Sequence, residues 1–289
     1  MYKLAILGCE NSHANNFLDA VLTNHLVDDV EFVGVYSDDR AAAEKLHEKY
    51  GVPVADSYDA FVGKVDGILI TARHGDNHYK YAKPYLDDGI PMFIDKPITC
   101  SEEEAQVFKD ELKVRAIPVS GGSICVLDKH VQNLKNAVQS GEYGKTLGGY
   151  LRAPVNLYNP YGDFYFYCQH LVQVMMEVFG CYPESVRAVT KGDTVTCLVR
   201  YKECDVNIVF VDGNYLYYAA VSFEKDVVGG SYDLAGCSDI EFLKYHALLH
   251  KQSKGEDYDD FFAPVYVFNA IKRAMESGEE EPVHRAERG

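Results

Sequence analysis

Alternation constrains this chain more than any other feature. Residues 3–7, 30–36, 65–71, 92–94 and 116–120 are short apolar runs that end in turn formers. Between them lie stretches of helical period, at about 14–25, from 40 to 50, up to about 88, and from Ser101 onward. Strands kept apart by helices cannot form hairpins. They pair in parallel, with the helices covering both faces of the sheet. In such a sheet ligands bind at the carboxyl ends of the strands, so the residues just after each apolar run carry most of the functional information.

One strand end stands out. Met92-Phe93-Ile94 runs into Asp95-Lys96-Pro97, so an acid and a lysine emerge where a ligand would lie. The proline restricts the backbone behind Lys96, and an X-Pro bond also admits the cis form. A lysine held this way is aimed at the cleft.

The first strand ends at Gly8, and Gly8-Cys9-Glu10-Asn11-Ser12-His13 occupies the place of a dinucleotide fingerprint. The spacing suits a Rossmann half, but Glu10 and His13 stand where the second and third glycines belong. A carboxylate there would repel a pyrophosphate. Gly8, Glu10, Asn11, Ser12 and His13 are nevertheless the expected cofactor turn. After the second strand come Ser37, Asp38, Asp39 and Arg40. An acid here suits the ribose hydroxyls of NAD, whereas an arginine suits the 2′-phosphate of NADP. Two acids outweigh one arginine, so NAD is the expected cofactor and NADP the alternative.

The second half changes character. A strand at 147–155 and a helix at 165–179 precede strands at 186–190, 194–201, 206–211 and 215–223, with a further one at 226–234. Neighbouring strands with only turns between them point to an antiparallel sheet. Helices at about 240–249 and 261–277 close the chain. The expected fold is therefore α/β: a Rossmann-type parallel-sheet domain over 1–120 and an α/β domain with a mostly antiparallel sheet over 121–289. A chain of 289 residues is long enough for two such cores.

Charge and cysteine content narrow the partners. A formal net charge of -16 opposes nucleic acid and anionic membranes. No apolar run approaches the roughly 20 residues that span a bilayer, and the first residues are too few for a signal peptide before the first strand. Eight cysteines without a CxxC pair read as reduced thiols of a cytoplasmic protein. His246 and His250 have the i, i+4 spacing of a metal pair, as do His74 and His78, but neither pair has a carboxylate or thiol companion at ligand spacing. No metal is expected, and the acidic run 279–281 reads as solvated.

Several of these segments together resemble the Gfo/Idh/MocA oxidoreductase family. They are the β-turn-α-β opening, the Thr71 to His78 spacing, Asp95-Lys96-Pro97 (Glu-Lys-Pro in most members), the helix start at Ser101-Glu102-Glu103-Glu104-Ala105, and the stretch 134–144. The resemblance implies a nicotinamide-dependent enzyme acting on a sugar, cyclitol or related polyol, assembled as a homodimer or homotetramer. It adds Thr71, Ala72, His78, Asp95 and Lys96 to the expected cofactor contacts. It also maps a second catalytic group, a histidine on the first helix of the C-terminal domain, onto His170. The aspartate that usually precedes this histidine by four residues is Phe166 here. If the helix begins early enough, Asp163 and Tyr167 share its face and stand in for the missing acid.

Oxidising a secondary alcohol requires a base for the hydroxyl proton and a fixed carbon. Lys96 suits that task if burial lowers its pKa, and His170 suits it with an ordinary imidazole pKa near 6.5. The tyrosines at 158, 161, 165 and 167 offer flat faces to a sugar ring. Two other readings keep the same fold: a non-catalytic sensor, for which the Glu10, His13 and Phe166 departures argue, and a lyase or glycosidase that oxidises a ring carbon only transiently. Cofactor binding separates the first from an enzyme, and product mass separates the second from a dehydrogenase.

Overall fold

The computed structural model of the protein describes residues 1–285. Five parallel strands form the first sheet in the order β2-β1-β3-β4-β5: β1 (Tyr2–Leu7), β2 (Val30–Tyr36), β3 (Gly67–Ile70), β4 (Met92–Asp95) and β5 (Val119–Gly122). Side chains alternate across it with period two. Leu4, Ile6, Leu69 and Phe93 face one core, whereas Ala5, Leu7, Ile68, Ile70, Met92 and Ile94 face the other. Both faces are covered, which is why these strands read as unbroken apolar runs.

Helices α1 (Ser12–Leu18), α2 (Arg40–Tyr50), α3 (Asp76–Ala82) and α4 (Glu102–Val114) supply the crossovers. Asp39 caps α2 by accepting from Ala42 N–H, and Ser101 caps α4 by accepting from Glu104 N–H. The reciprocal half of the Ser101–Glu104 capping box is missing, because the Glu104 carboxylate turns to the Thr99 hydroxyl instead.

After α5 (Lys129–Ser140) the chain builds a second sheet, in the order β11-β10-β6-β9-β8-β7-β12. Its strands are β6 (Thr146–Val155), β7 (Ser185–Lys191), β8 (Thr194–Arg200), β9 (Asp205–Asp212), β10 (Tyr218–Phe223), β11 (Val227–Ser231) and β12 (Glu280–Pro282). Every neighbouring pair is antiparallel except β6 with β9. The acidic run near the C-terminus keeps Glu279 and Glu280 exposed as expected, and Glu280 and Glu281 also pair with Arg187 and Val186 as an edge strand.

Helix α6 (Tyr165–Phe179) runs between the two sheets. Helix α7 (Cys237–Leu249) returns to the first, against α1 and β5, whereas α8 (Tyr258–Ser277) packs between α4 and strand β7 of the second sheet. Phe242 and Tyr245 of α7 are buried in the same core as Phe17 and Phe93. No described helix is long and apolar enough to cross a membrane.

Candidate active site

The strand order changes direction around β1, and the carboxyl ends of β1, β2 and β3 open there into a cleft of about 370 Å³. Glu10, Asp38, Asp39, His74, Asp76 and Tyr161 are among the residues that line it. Gly8 has φ +95°, and a Cβ there would stand 2.3 Å from the Ala72 nitrogen. Only glycine lets the β1 turn approach the β3 turn this closely. Thr71 seals the approach by donating its hydroxyl to the Gly8 carbonyl at 2.5 Å.

Glu10, which the sequence marked as repulsive to a phosphate, is held by two donors. Its carboxylate accepts from Ser37 Oγ at 2.6 Å and from the Arg73 backbone N–H at 2.9 Å. It therefore bridges the ends of β2 and β3. Arg73 was not singled out by the sequence. Its Nε is buried without a hydrogen-bond partner among the described residues, and its guanidinium stacks over Tyr161 and Phe166. Asp38 accepts from Tyr36 Oη at 2.6 Å and from Lys80 Nζ at 2.9 Å, which together hold its carboxyl below the usual range despite partial burial. Arg40 is turned away onto Glu44 and Asp56. His78 is fully buried, with its ring nitrogens against the Ala72 and Ile98 carbonyls, so it braces the cleft wall.

Asp95 sits at the end of β4, fully buried. Its carboxylate takes the Lys96 backbone N–H, the Asn11 amide at 2.5 Å and His13 Nδ1 at 2.6 Å. Ser12 donates to Asn11 in turn. His13 Nε2 lies 3.4 Å from Glu241 of α7, a second residue the sequence did not flag. Burial disfavours the His13 imidazolium, but Asp95 and Glu241 outweigh it and raise its pKa to about 9. Burial pushes Glu241 up to about 7, against the pull of His13.

The Lys96–Pro97 peptide is cis. Lys96 is itself buried, and its ammonium lies over the rings of Phe166 and Tyr167, 4.4 and 5.3 Å from their centroids. Burial lowers its pKa, and the neighbouring Asp95 only partly restores it. Tyr167 is shared: the His170 ring packs edge-on against it at 4.8 Å. Lys96, just after β4, and His170, on α6, thus meet at one aromatic ring.

His170 is placed by its neighbours on α6. Gln169 accepts from the Ile98 N–H at 3.0 Å, and Gln173 accepts from the Ser123 N–H at 2.5 Å, so α6 is docked on the segments that follow β4 and β5. The His170 Nδ1 lies 2.8 Å from Ser123 Oγ and 3.4 Å from Cys125 Sγ. Its pKa falls well below the ordinary imidazole value through burial first and the Lys96 charge second. The expected ionisation near neutrality is therefore displaced downward. Asp163 differs from its expected place as well. It precedes α6, has φ +51°, is exposed and closes a local turn with Asn159, so it does not share the His170 stripe. Of the four tyrosines, Tyr167 lies in the site and Tyr161 at the cleft mouth, whereas Tyr165 bonds Asn269 and Tyr158 is exposed.

Residues 2–121 match a family model described as an oxidoreductase family with an NAD-binding Rossmann fold, GFO_IDH_MocA. A search of curated proteins found no match. Among solved structures, scyllo-inositol dehydrogenase from Lactobacillus casei with bound NAD(H) and scyllo-inositol is 15% identical, with a TM-score of 0.85 over 98% of this chain and 99% of that one. Myo-inositol 2-dehydrogenase from Lactobacillus plantarum is 12% identical, with a TM-score of 0.85 over 98% and 99%. GenD2 from gentamicin A biosynthesis, in complex with NAD, is 13% identical, with a TM-score of 0.83 over 98% and 96%. At these identities the likeness establishes the fold.

Proposed function

We propose, on the premise that the N-terminal domain belongs to the Gfo/Idh/MocA oxidoreductase family, that this chain is an NAD-dependent dehydrogenase of a secondary alcohol on a sugar, cyclitol or related polyol. The observation that carries the reading is the convergence of Lys96 and His170 on Tyr167 beside the cleft. The residues around the cleft fit a dinucleotide. Gly8 lets the turns after β1 and β3 close together at the cleft, Asp38 offers a carboxylate to a ribose, and the orphaned Arg73 Nε offers a donor to an anionic group. The Ser37 hydroxyl and the Arg73 N–H hold the Glu10 carboxylate onto the ends of β2 and β3. Asp38 without a free arginine favours NAD over NADP, since Arg40 is committed to Glu44 and Asp56.

Bound there, oxidised nicotinamide supplies the hydride acceptor. Lys96, with its lowered pKa, takes the hydroxyl proton or orients the hydroxyl. His170 stays neutral near pH 7, and its Nδ1 partners Ser123 and Cys125 fix the ring. Tyr167 offers a flat face to the ring of the substrate. Phe166 replaces the acid expected beside such a histidine, so proton relay here runs without a carboxylate on α6.

Two further features complete the proposal. Tyr150, Val189, Tyr218 and Val227 expose large apolar side chains on the second sheet, which suits pairing with another copy as a homodimer or homotetramer. The eight cysteines are free, as befits a reducing, cytoplasmic setting. Calorimetric titration of NAD and NADP tests the cofactor reading. One NAD per chain, bound more tightly than NADP, is expected; no binding of either at millimolar concentration would overturn it.

A further inference from the structure

At the opposite end of the first sheet, three ligand-type atoms converge. Asp29 lies just before β2, while His246 and His250 lie one turn apart at the end of α7. His246 Nε2 is 2.7 Å from one Asp29 carboxylate oxygen, His250 Nε2 is 2.7 Å from the other, and the two Nε2 atoms are 3.3 Å apart. The carboxylate that the sequence spacing did not supply thus comes from 217 residues away. His78 has no such role, because its ring is buried elsewhere.

The separations have a chemical meaning. With metal–nitrogen bonds of about 2.0–2.1 Å, two ligands of a tetrahedral ion stand roughly 3.3 Å apart. That is the distance between these imidazole nitrogens, whereas the two 2.7 Å contacts to Asp29 are hydrogen bonds that must open by roughly half an ångström when an ion replaces their protons. The three side chains are partly exposed, so a water can complete the shell. Two imidazoles and one carboxylate suit a borderline divalent ion of the zinc class. Calcium and magnesium call for oxygen ligands throughout. A chain of net charge -16 also favours cation capture.

We propose that Asp29, His246 and His250 form a structural site for a zinc-class divalent ion, which pins the end of α7 to the start of β2. The Tyr2 N–H donates to the Asp29 carbonyl at 2.6 Å, and the Tyr2 ring packs edge-on against His250 at 4.9 Å, so the clip also reaches the start of β1. Helix α7 carries Glu241, which contacts His13 at the other end of the sheet. The ion would therefore brace the helix that supports the buried side of the active site.

Zinc titration of the full chain, stripped with a chelator and held near neutral pH, tests this. One zinc per chain is expected, with a zinc-dependent rise in melting temperature. His250→Gln and Asp29→Asn should each weaken binding roughly 100-fold and abolish the rise. Asp29→Asn keeps the side-chain shape and serves if a histidine variant folds poorly. Cobalt bound in place of zinc should show ligand-field bands without thiolate charge transfer. The proposal fails if zinc does not bind. It also fails if affinity is unchanged in both variants, which would place the ion elsewhere, or if cobalt shows thiolate bands, which would place it on a cysteine such as Cys100 beside His74 and Asp76.

Discussion

Two buried clusters flank Asp95, and burial acts on both in the same direction with opposite results. On the side of α1 and α7, His13 faces two carboxylates, and its pKa rises to about 9. On the side of α6, His170 faces Lys96 and no hydrogen-bonded carboxylate, and its pKa falls well below 6.5. Desolvation disfavours both imidazolium ions; the difference lies in the charges that surround them. One cluster is built to hold charge and support the strand ends. The other is built to keep Lys96 and His170 inclined toward their neutral, proton-accepting forms.

Asp95 belongs to the charge-holding side, and its loss should have the largest effect. Asp95→Ala would leave the buried His13 with Glu241 as its one carboxylate partner and free the Asn11 amide. It should destabilise the protein by about 3–5 kcal/mol in denaturant unfolding; a loss below about 1 kcal/mol would show that the cluster is not a support.

Lys96 lies at the border of the two clusters and should behave as a member of the second. Lys96→Ala should lower kcat on the order of 10² while the melting temperature stays nearly unchanged. A large thermal loss with retained turnover would move Lys96 into the supporting cluster.

His170→Asn should cut turnover by roughly tenfold or more with little change in cofactor affinity. The wild-type pH–rate profile should show no histidine inflection near 6.5, because the ionisation is displaced downward. An inflection at 6.5 that vanishes in the variant would contradict the burial of this ring.

The smallest effect concerns stability against pH. A raised histidine pKa means that the folded state holds its proton more tightly. The His13 contribution is therefore complete below about 6.5 and lost as pH rises through about 9. The Glu241 pKa, raised to about 7, adds a decline between roughly pH 4.5 and 7. His13→Gln should flatten the fall in melting temperature between pH 7 and 9. An unchanged slope would assign that fall to other groups.

Legibility in the sequence followed range. The parallel sheet was readable because each strand is a local run buried on both faces, and α6 because its apolar period is continuous. The residues after each strand end pointed to the cleft for the same reason. What Glu10 does there was not readable, since its partners Ser37 and Arg73 lie 27 and 63 residues away. Asp163 was misplaced because the turn around Gly162, with φ +100°, delays the start of α6. Glu241 left only a faint mark, an acid between apolar neighbours on a helix whose buried face turns to the first sheet.

Hydride transfer from a secondary alcohol to NAD, with Lys96 as the proton-handling group, can be measured directly. Formation of reduced nicotinamide can be followed by absorbance while wild type and Lys96→Ala are each mixed with NAD and a panel of cyclitols and sugars. Reduced nicotinamide should accumulate with at least one member of the panel in wild type and be strongly suppressed in Lys96→Ala. Binding of NAD without reduced nicotinamide from any member, or equal rates in the two proteins, would contradict this reading.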